Sequence, residues 1–265
     1  MLNLHAEKEI PMNVQYQKWH ELLIQAVNQP GLILKAYSAF HGYSLGNQIA
    51  LMVQCHQRNI EPGPTNTYPG WRKLNRQVKR GEKAPWMCMP LTRKRKDENG
   101  EDQAVITTFV WKPHWFTLVQ TEGEPIEPIA SPAWDKDKAL AALGVSQVEF
   151  AHLDGNVQGY AQKRQVAISP LAAIPHKTLF HEIAHVELGH TQESDFKDSE
   201  RTPRSLREAE AEAVAMLLCE SLELPGSEFC RGYIQSWLKG DVIPEQSCMK
   251  IFGCADRILR AGREQ

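Results

Sequence analysis

The sequence predicts an α+β protein in two parts, and three observations carry that expectation. Apolar residues recur at helical spacing toward both ends of the chain. The strand-like segments gather instead between residues 86 and 120, and such segregation marks the α+β class rather than an alternating α/β order. Third, the stretch EGEPIEPIASPAWDKD (122–137) holds three prolines and no periodicity, so it reads as a linker. The boundary is therefore expected near residue 130, giving parts 1–127 and 128–265. At 265 residues the chain can bury two modest cores.

In the first part, a helix is expected over 14–28, with Trp19, Leu22, Leu23 and Ala26 near one face. Ser44 is a candidate N-cap for a second, over 44–54, whose stripe is Leu45, Ile49, Met52 and Val53. The loop EPGPTNTYPG leads to a short basic helix over 71–78. Strands follow at 86–94 and 104–111, flanking Asp97-Glu98-Asn99-Gly100 as a hairpin, and a third at 115–120. Alternation at Val105, Thr107, Phe109 and Trp111 suggests that one face of the second strand is buried. In the second part, 165–169 is a short strand and 178–188 a helix stopped by Gly189. A charged loop (191–203) then precedes a long helix over 205–224.

Several classes are excluded by composition. A chain 42% hydrophobic and 23% charged is not disordered as a whole. No apolar run approaches membrane-spanning length, and MLNLHAEKEIPMNV lacks a signal peptide's apolar core. A cytoplasmic protein with no membrane partner is expected. Six cysteines without a CxxC pair then read as free thiols. The net charge of −2 hides an asymmetry of +4 over 1–125 against −6 over 126–265. Within 58–96 there are 11 basic residues against only Glu61 and Glu82, which points to a polyanion there.

The segment HEIAH carries the chemistry. Residues four apart share a helix face, so His181 and His185 can offer two imidazoles to one ion. Glu182, about a quarter turn on, can reach a water activated by that ion and accept its proton. Zinc is the expected metal, although a His-His-Glu set also suits Mn or another divalent ion. A catalytic site needs a third protein ligand. His190 follows Gly189, where the helix ends, and falls one residue short of the extended HExxHxxGxxH pattern. Glu208 on the next helix is the better candidate, with Glu212 on the same face as an acceptor fixing a histidine tautomer. Ser205-x-x-Glu208 also matches a capping box, which would give Glu208 a purely structural role.

HEIAHVELGHT followed by SLREAEAEAVAMLLCESL resembles the C-terminal metalloprotease domain of ArdC-type anti-restriction proteins. YSLGNQIALM (43–52), GWRKLNRQVKRGEKA (70–84) and FTLVQTEGEP (116–125) resemble the N-terminal domain of the same family, and GYAQKRQVAISP fits ahead of the histidines. The resemblance implies an N-terminal α+β domain that binds single-stranded DNA and a zincin-like metalloprotease domain behind it. It carries His181, His185 and Glu208 over as ligands and Glu182 as the catalytic acid/base. It also implies that the strand at 165–169 lines the cleft and pairs with an extended peptide. For single-stranded DNA, a positive groove with aromatic platforms is needed. Arg72, Lys73, Arg76, Lys79, Arg80 and Lys83 supply charge, and Trp71 is the candidate platform. The implied role is protection of transferred DNA from restriction. Two other roles stand beside it: cleavage of a DNA-bound regulator or crosslinked protein, and a non-enzymatic DNA-binding protein with a structural metal. The protein or peptide substrate is not identified by the sequence.

Overall fold

The structure is a computed structural model that describes residues 17–96, 102–127, 130–151, 156–191 and 202–263. The expected 97–100 turn, the first residues of the 14–28 helix and most of the charged loop lie outside that set. The fold is α+β, as expected. Three helices open it: α1 (Trp19–Asn28), α2 (Leu32–Phe40) and α3 (Leu45–Gln57). The second of these has no counterpart in the sequence reading. Ser44 is the N-cap residue of α3, but its side chain makes no capping bond.

Short paired segments follow. β1 (Thr65–Thr67) pairs antiparallel with β5 (Trp115–Thr117), and β2 (Arg76–Val78) with β6 (Thr121–Gly123). Between them lie α4 (Tyr68–Lys73) and the hairpin of β3 (Trp86–Lys96) and β4 (Asp102–Pro113). The expected helix over 71–78 is corrected: α4 stops at Lys73, and Asn75 turns the chain with φ 54° into β2. Asn tolerates this left-handed conformation better than most residues. Likewise, 115–120 is β5 plus a 3₁₀ turn (Leu118–Gln120), and it pairs with β1 rather than with the hairpin. Phe109 is 54% exposed, so alternation along β4 does not bury it.

The remaining chain forms α5 (Lys136–Leu143), then a three-stranded sheet ordered β7 (Ser146–Gln147), β9 (Gln165–Ile168), β8 (Gly159–Gln162). Four helices complete it: α6 (Pro175–Glu187), α7 (Arg204–Ser221), α8 (Ser227–Leu238) and α9 (Glu245–Gly262). Every residue of α7 from Ala209 to Ser221 is buried, making it the central helix. The end of the 122–137 stretch is packed, because Trp134 Nε1 donates to Ile258 O at 3.1 Å and α5 begins at Lys136.

Residues on both sides of position 130 contribute to one apolar cluster. It includes Leu22, Ile33, Ile49 and Met52 with Phe180, Met216, Ile251 and Leu259. α2 packs on α7, and α1 and α3 pack on α9. A buried ion pair joins the same two sides. Arg231 of α8 donates to Glu220 of α7 and to Ala26 O and Val27 O at the end of α1. Glu220 in turn accepts from Ile33 N in the first turn of α2, at 3.1 Å. Thus α7, which carries acidic site residues at its beginning, is anchored to the N-terminal helices at its end.

Candidate metal centre

α6 starts with Pro175 in its first turn, where the missing N–H costs nothing, and its chain turns out at Gly189 with φ 78°. The helix between is regular, so His181 and His185 lie one turn apart on one face. Their Nε2 atoms stand 3.0 Å from each other. Glu208 Oε2 lies 3.4 Å from His181 Nε2 and 3.6 Å from His185 Nε2. Among the described residues these three form the one group of acidic, histidine or cysteine side chains placed to hold a metal ion. Ser205 does not cap α7: the N-cap position is Pro203, so the capping-box alternative for Glu208 does not apply.

The donor spacing can be tested against an ion. Bonds of about 2.05 Å at tetrahedral angles separate donors by about 3.3 Å, the mean of the three observed edges to within about 0.1 Å. An octahedral ion with bonds slightly over 2 Å separates neighbouring donors by about 3 Å, so the edges alone do not choose the metal. Without a cation, two imidazole nitrogens and a carboxylate oxygen would crowd lone pairs at one point. The donor set therefore fits a divalent ion. The Glu208 carboxyl is held well below the usual carboxylate range, chiefly by the imidazoles of His181 and His185 beside it, and so is ionised.

Glu182 is 7% exposed, and burial pushes its carboxyl up to about 7, with help from Glu208 and Glu212 against the opposing effects of His185 and Lys177. A group poised there can take and return a proton near neutrality. Gly159 of β8 makes room for it: a Cβ at that position would lie 3.2 Å from Glu182 Cγ and 2.7 Å from Thr178 Cγ2. Glu182, the three donors, Gly159, Tyr160, Ala161 and Arg207 line a cavity of 430 Å³. The strand expected to pair with a peptide is corrected. β9 (Gln165–Ile168) is the middle strand, flanked by β7 and β8, and β8 is the outer strand at the cavity.

Glu212 lies behind His181, with Oε1 3.4 Å from His181 Nδ1 and 2.7 Å from Lys177 Nζ. The first contact falls short of a hydrogen bond, and His181 Nδ1 is buried with no such partner among the described residues. Behind His185 stand His190, which its place after Gly189 sets outside the expected ligands, and Glu210, to which spacing along the helix gives no role. His190 Nδ1 is 3.0 Å from His185 Nδ1, and His190 Nε2 is 2.9 Å from Glu210 Oε2. His190 is therefore on the far side of the His185 ring from the donor cluster. Its place five residues after a ligand histidine, just past a helix-ending glycine, was the available signal.

The basic face divides. Arg72, Lys73, Arg80 and Lys83 are exposed, and among the described residues their side chains make no hydrogen bond or ion pair. Lys79 is exposed but donates to Val119 O at 2.9 Å. Arg76 is committed to structure, donating to Thr121 Oγ1 at 2.9 Å and to the carbonyls of Thr121, Gly123 and Glu124. Trp71 is corrected: it is 1% exposed with Nε1 donating to Phe116 O, so its ring presents no face to a base. Trp111 packs against Trp19 with ring centroids 5.5 Å apart. No described helix is long and apolar enough to cross a membrane.

Comparison with known proteins places this architecture. Residues 10–115 match the family described as the N-terminal domain of anti-restriction factor ArdC. A metal-free crystal structure of antirestriction protein ArdC from the R388 plasmid aligns with TM-score 0.52 and 22% identity, covering 93% of this chain and 95% of that one. A Mn(II)-bound structure of the same protein aligns with TM-score 0.54 and 20% identity, covering 93% and 98%. No curated protein matches. Residues 10–115 thus match an ArdC N-terminal domain, and the chain shares the fold of the R388 ArdC protein over nearly its whole length.

Proposed function

We propose that this chain is a zinc-dependent, metallopeptidase-type anti-restriction protein whose N-terminal part binds single-stranded DNA. One observation carries the reading: a buried carboxyl titrating near neutrality, Glu182, sits beside a His181-His185-Glu208 donor set at metal-ligand spacing, in one cavity. The Mn(II)-bound form of the R388 protein supports a divalent ion at this fold, and the donor set of two imidazoles and a carboxylate suits zinc.

His181, His185 and Glu208 would hold the ion, whose Lewis acidity lowers the pKa of water and polarises a carbonyl. Glu182 accepts the proton of the attacking water and returns it to the departing amine. β8, as the outer strand along the cavity, is placed to align an extended peptide. Arg72, Lys73, Arg80 and Lys83 supply charge for the DNA backbone.

Glu182→Gln tests the reading because the change is nearly isosteric and spares the ligands. Protein hydrolysis should vanish while metal content and DNA affinity stay at wild-type values. If protection from restriction survives that substitution, the DNA-binding part protects by itself. If a DNA-bound or crosslinked protein is cleaved by the wild type but not by the variant, that protein is the substrate. Hydrolysis by Glu182→Gln at the wild-type rate would remove Glu182 from the chemistry.

A further inference from the structure

The long helix α7 carries glutamates at every second position in Glu208-Ala209-Glu210-Ala211-Glu212. A helix advances about 100° per residue, so Glu210 lies some 200° round from Glu208, away from the donor cluster. It is nevertheless tied to it. Glu210 Oε2 is 2.9 Å from His190 Nε2, and the two side chains are 4% and 9% exposed. His190 Nδ1 is 3.0 Å from His185 Nδ1, and His190 N donates to His185 O at 2.8 Å. Gly189, at φ 78°, turns the chain so that the residue after it folds back over the ring.

Proton positions along this row follow from one requirement. His185 directs Nε2 at the point it shares with His181 and Glu208, so that atom must offer a lone pair. The His185 proton then sits on Nδ1 and is donated to His190 Nδ1. His190 must therefore carry its own proton on Nε2, which it donates to the Glu210 carboxylate. Every nitrogen has one role, and the row ends on a charge. The same geometry argues against His190 as a metal ligand, since its Nδ1 meets the back of the His185 ring.

We propose that His190 and Glu210 are positioning residues that lock the tautomer and orientation of His185 and make it a more basic metal ligand. This rests on the metal-centre reading above, and it assigns α7 two distinct duties at one site: Glu208 at the metal, Glu210 behind it. Carboxylates that orient metal-binding histidines typically raise metal affinity by about 10–100-fold.

The test uses the full chain and cobalt(II) as probe, titrated into wild type, Glu210→Gln, His190→Gln and the double variant. Each single variant should bind cobalt about 10–100-fold more weakly, and the double variant no more weakly than the worse single, because the residues act in series. At saturating cobalt, the visible band of each variant should keep the wild-type intensity but shift in energy. Wild-type affinity in both single variants overturns the proposal. So does weaker binding with an unshifted band, which would mean that the pair only supports the local fold. Collapse of the band intensity would make His190 a ligand, also against the proposal. Absence of cobalt binding by the wild-type protein would remove the metal reading itself, and that is seen before any variant is made.

Discussion

Glu182→Gln in the metal-free protein should change how stability depends on pH. The Glu182 carboxyl moves from its ordinary 4.5 to about 7 on folding because burial disfavours its charged form. The folded state therefore holds a proton, between those values, that the unfolded chain has released. The sign follows: this group's contribution is fully present below pH 4.5 and is lost as pH rises through 7. At about 1.4 kcal/mol per pH unit, the gap corresponds to about 3 kcal/mol. The side chain is 7% exposed, so solvent does not screen the effect away. Gln cannot ionise and should lack the decline. Urea unfolding in the presence of a chelator, at half-unit steps from pH 4.5 to 8, measures the difference between the two proteins. Relative to its value at pH 5, the variant's advantage should grow by about 2–3 kcal/mol by pH 8. Parallel stability curves would refute the argument that Glu182 is buried and protonated near neutrality. Glu208 acts in the other direction and in another window, since its lowered pKa gives stability that is lost only on acidification below 4.5.

Arg231→Met should cost about 3–5 kcal/mol by leaving the buried Glu220 without its partner, equivalent to a melting temperature lower by roughly 6–20 °C. A loss under about 1 kcal/mol would mean that the pair does not tie α1 and α2 to α7. Gly159→Ala places a methyl 2.7 Å from Thr178 Cγ2, 3.1 Å from Ala167 O and 3.2 Å from Glu182 Cγ. Displacing Glu182 by about 1 Å should slow hydrolysis of a reporter peptide by up to about 100-fold with metal affinity unchanged; an unchanged rate contradicts the crowding. Changing Arg72, Lys73, Arg80 and Lys83 to Ala should weaken single-stranded DNA binding and reduce the salt slope by about 3 if all four meet phosphates. An unaltered slope in a salt titration moves the DNA surface elsewhere.

What could be read from sequence was whatever periodicity encodes. The His181–His185 pair follows from spacing alone, and Glu208 from sharing a helix face with Glu212. Glu210 was invisible because two positions along a helix points away, and only the turn at Gly189 brings His190 round to meet it. Charge runs misled where local structure intervened. Trp71 lies among basic residues yet fills the space beneath α4 with its indole N–H on Phe116 O. Arg76 looks like its neighbours in sequence, but β2 pairs with β6 and its guanidinium is consumed by that strand's carbonyls. The expected cleft strand, β9, was found correctly as a strand, but its middle position depends on β8, a segment whose pairing only the fold defines. The proline-rich stretch at 122–137 reads as a linker from composition, whereas Trp134 within it docks on α9.

The central claim is that one divalent ion sits between α6 and α7. Calorimetric titration of zinc into the metal-stripped full chain, beside Glu208→Ala, measures it directly. The wild type should bind one equivalent at this site, and the variant more than about 100-fold more weakly. Equal affinity in the two proteins, or no uptake by the wild type, would contradict it.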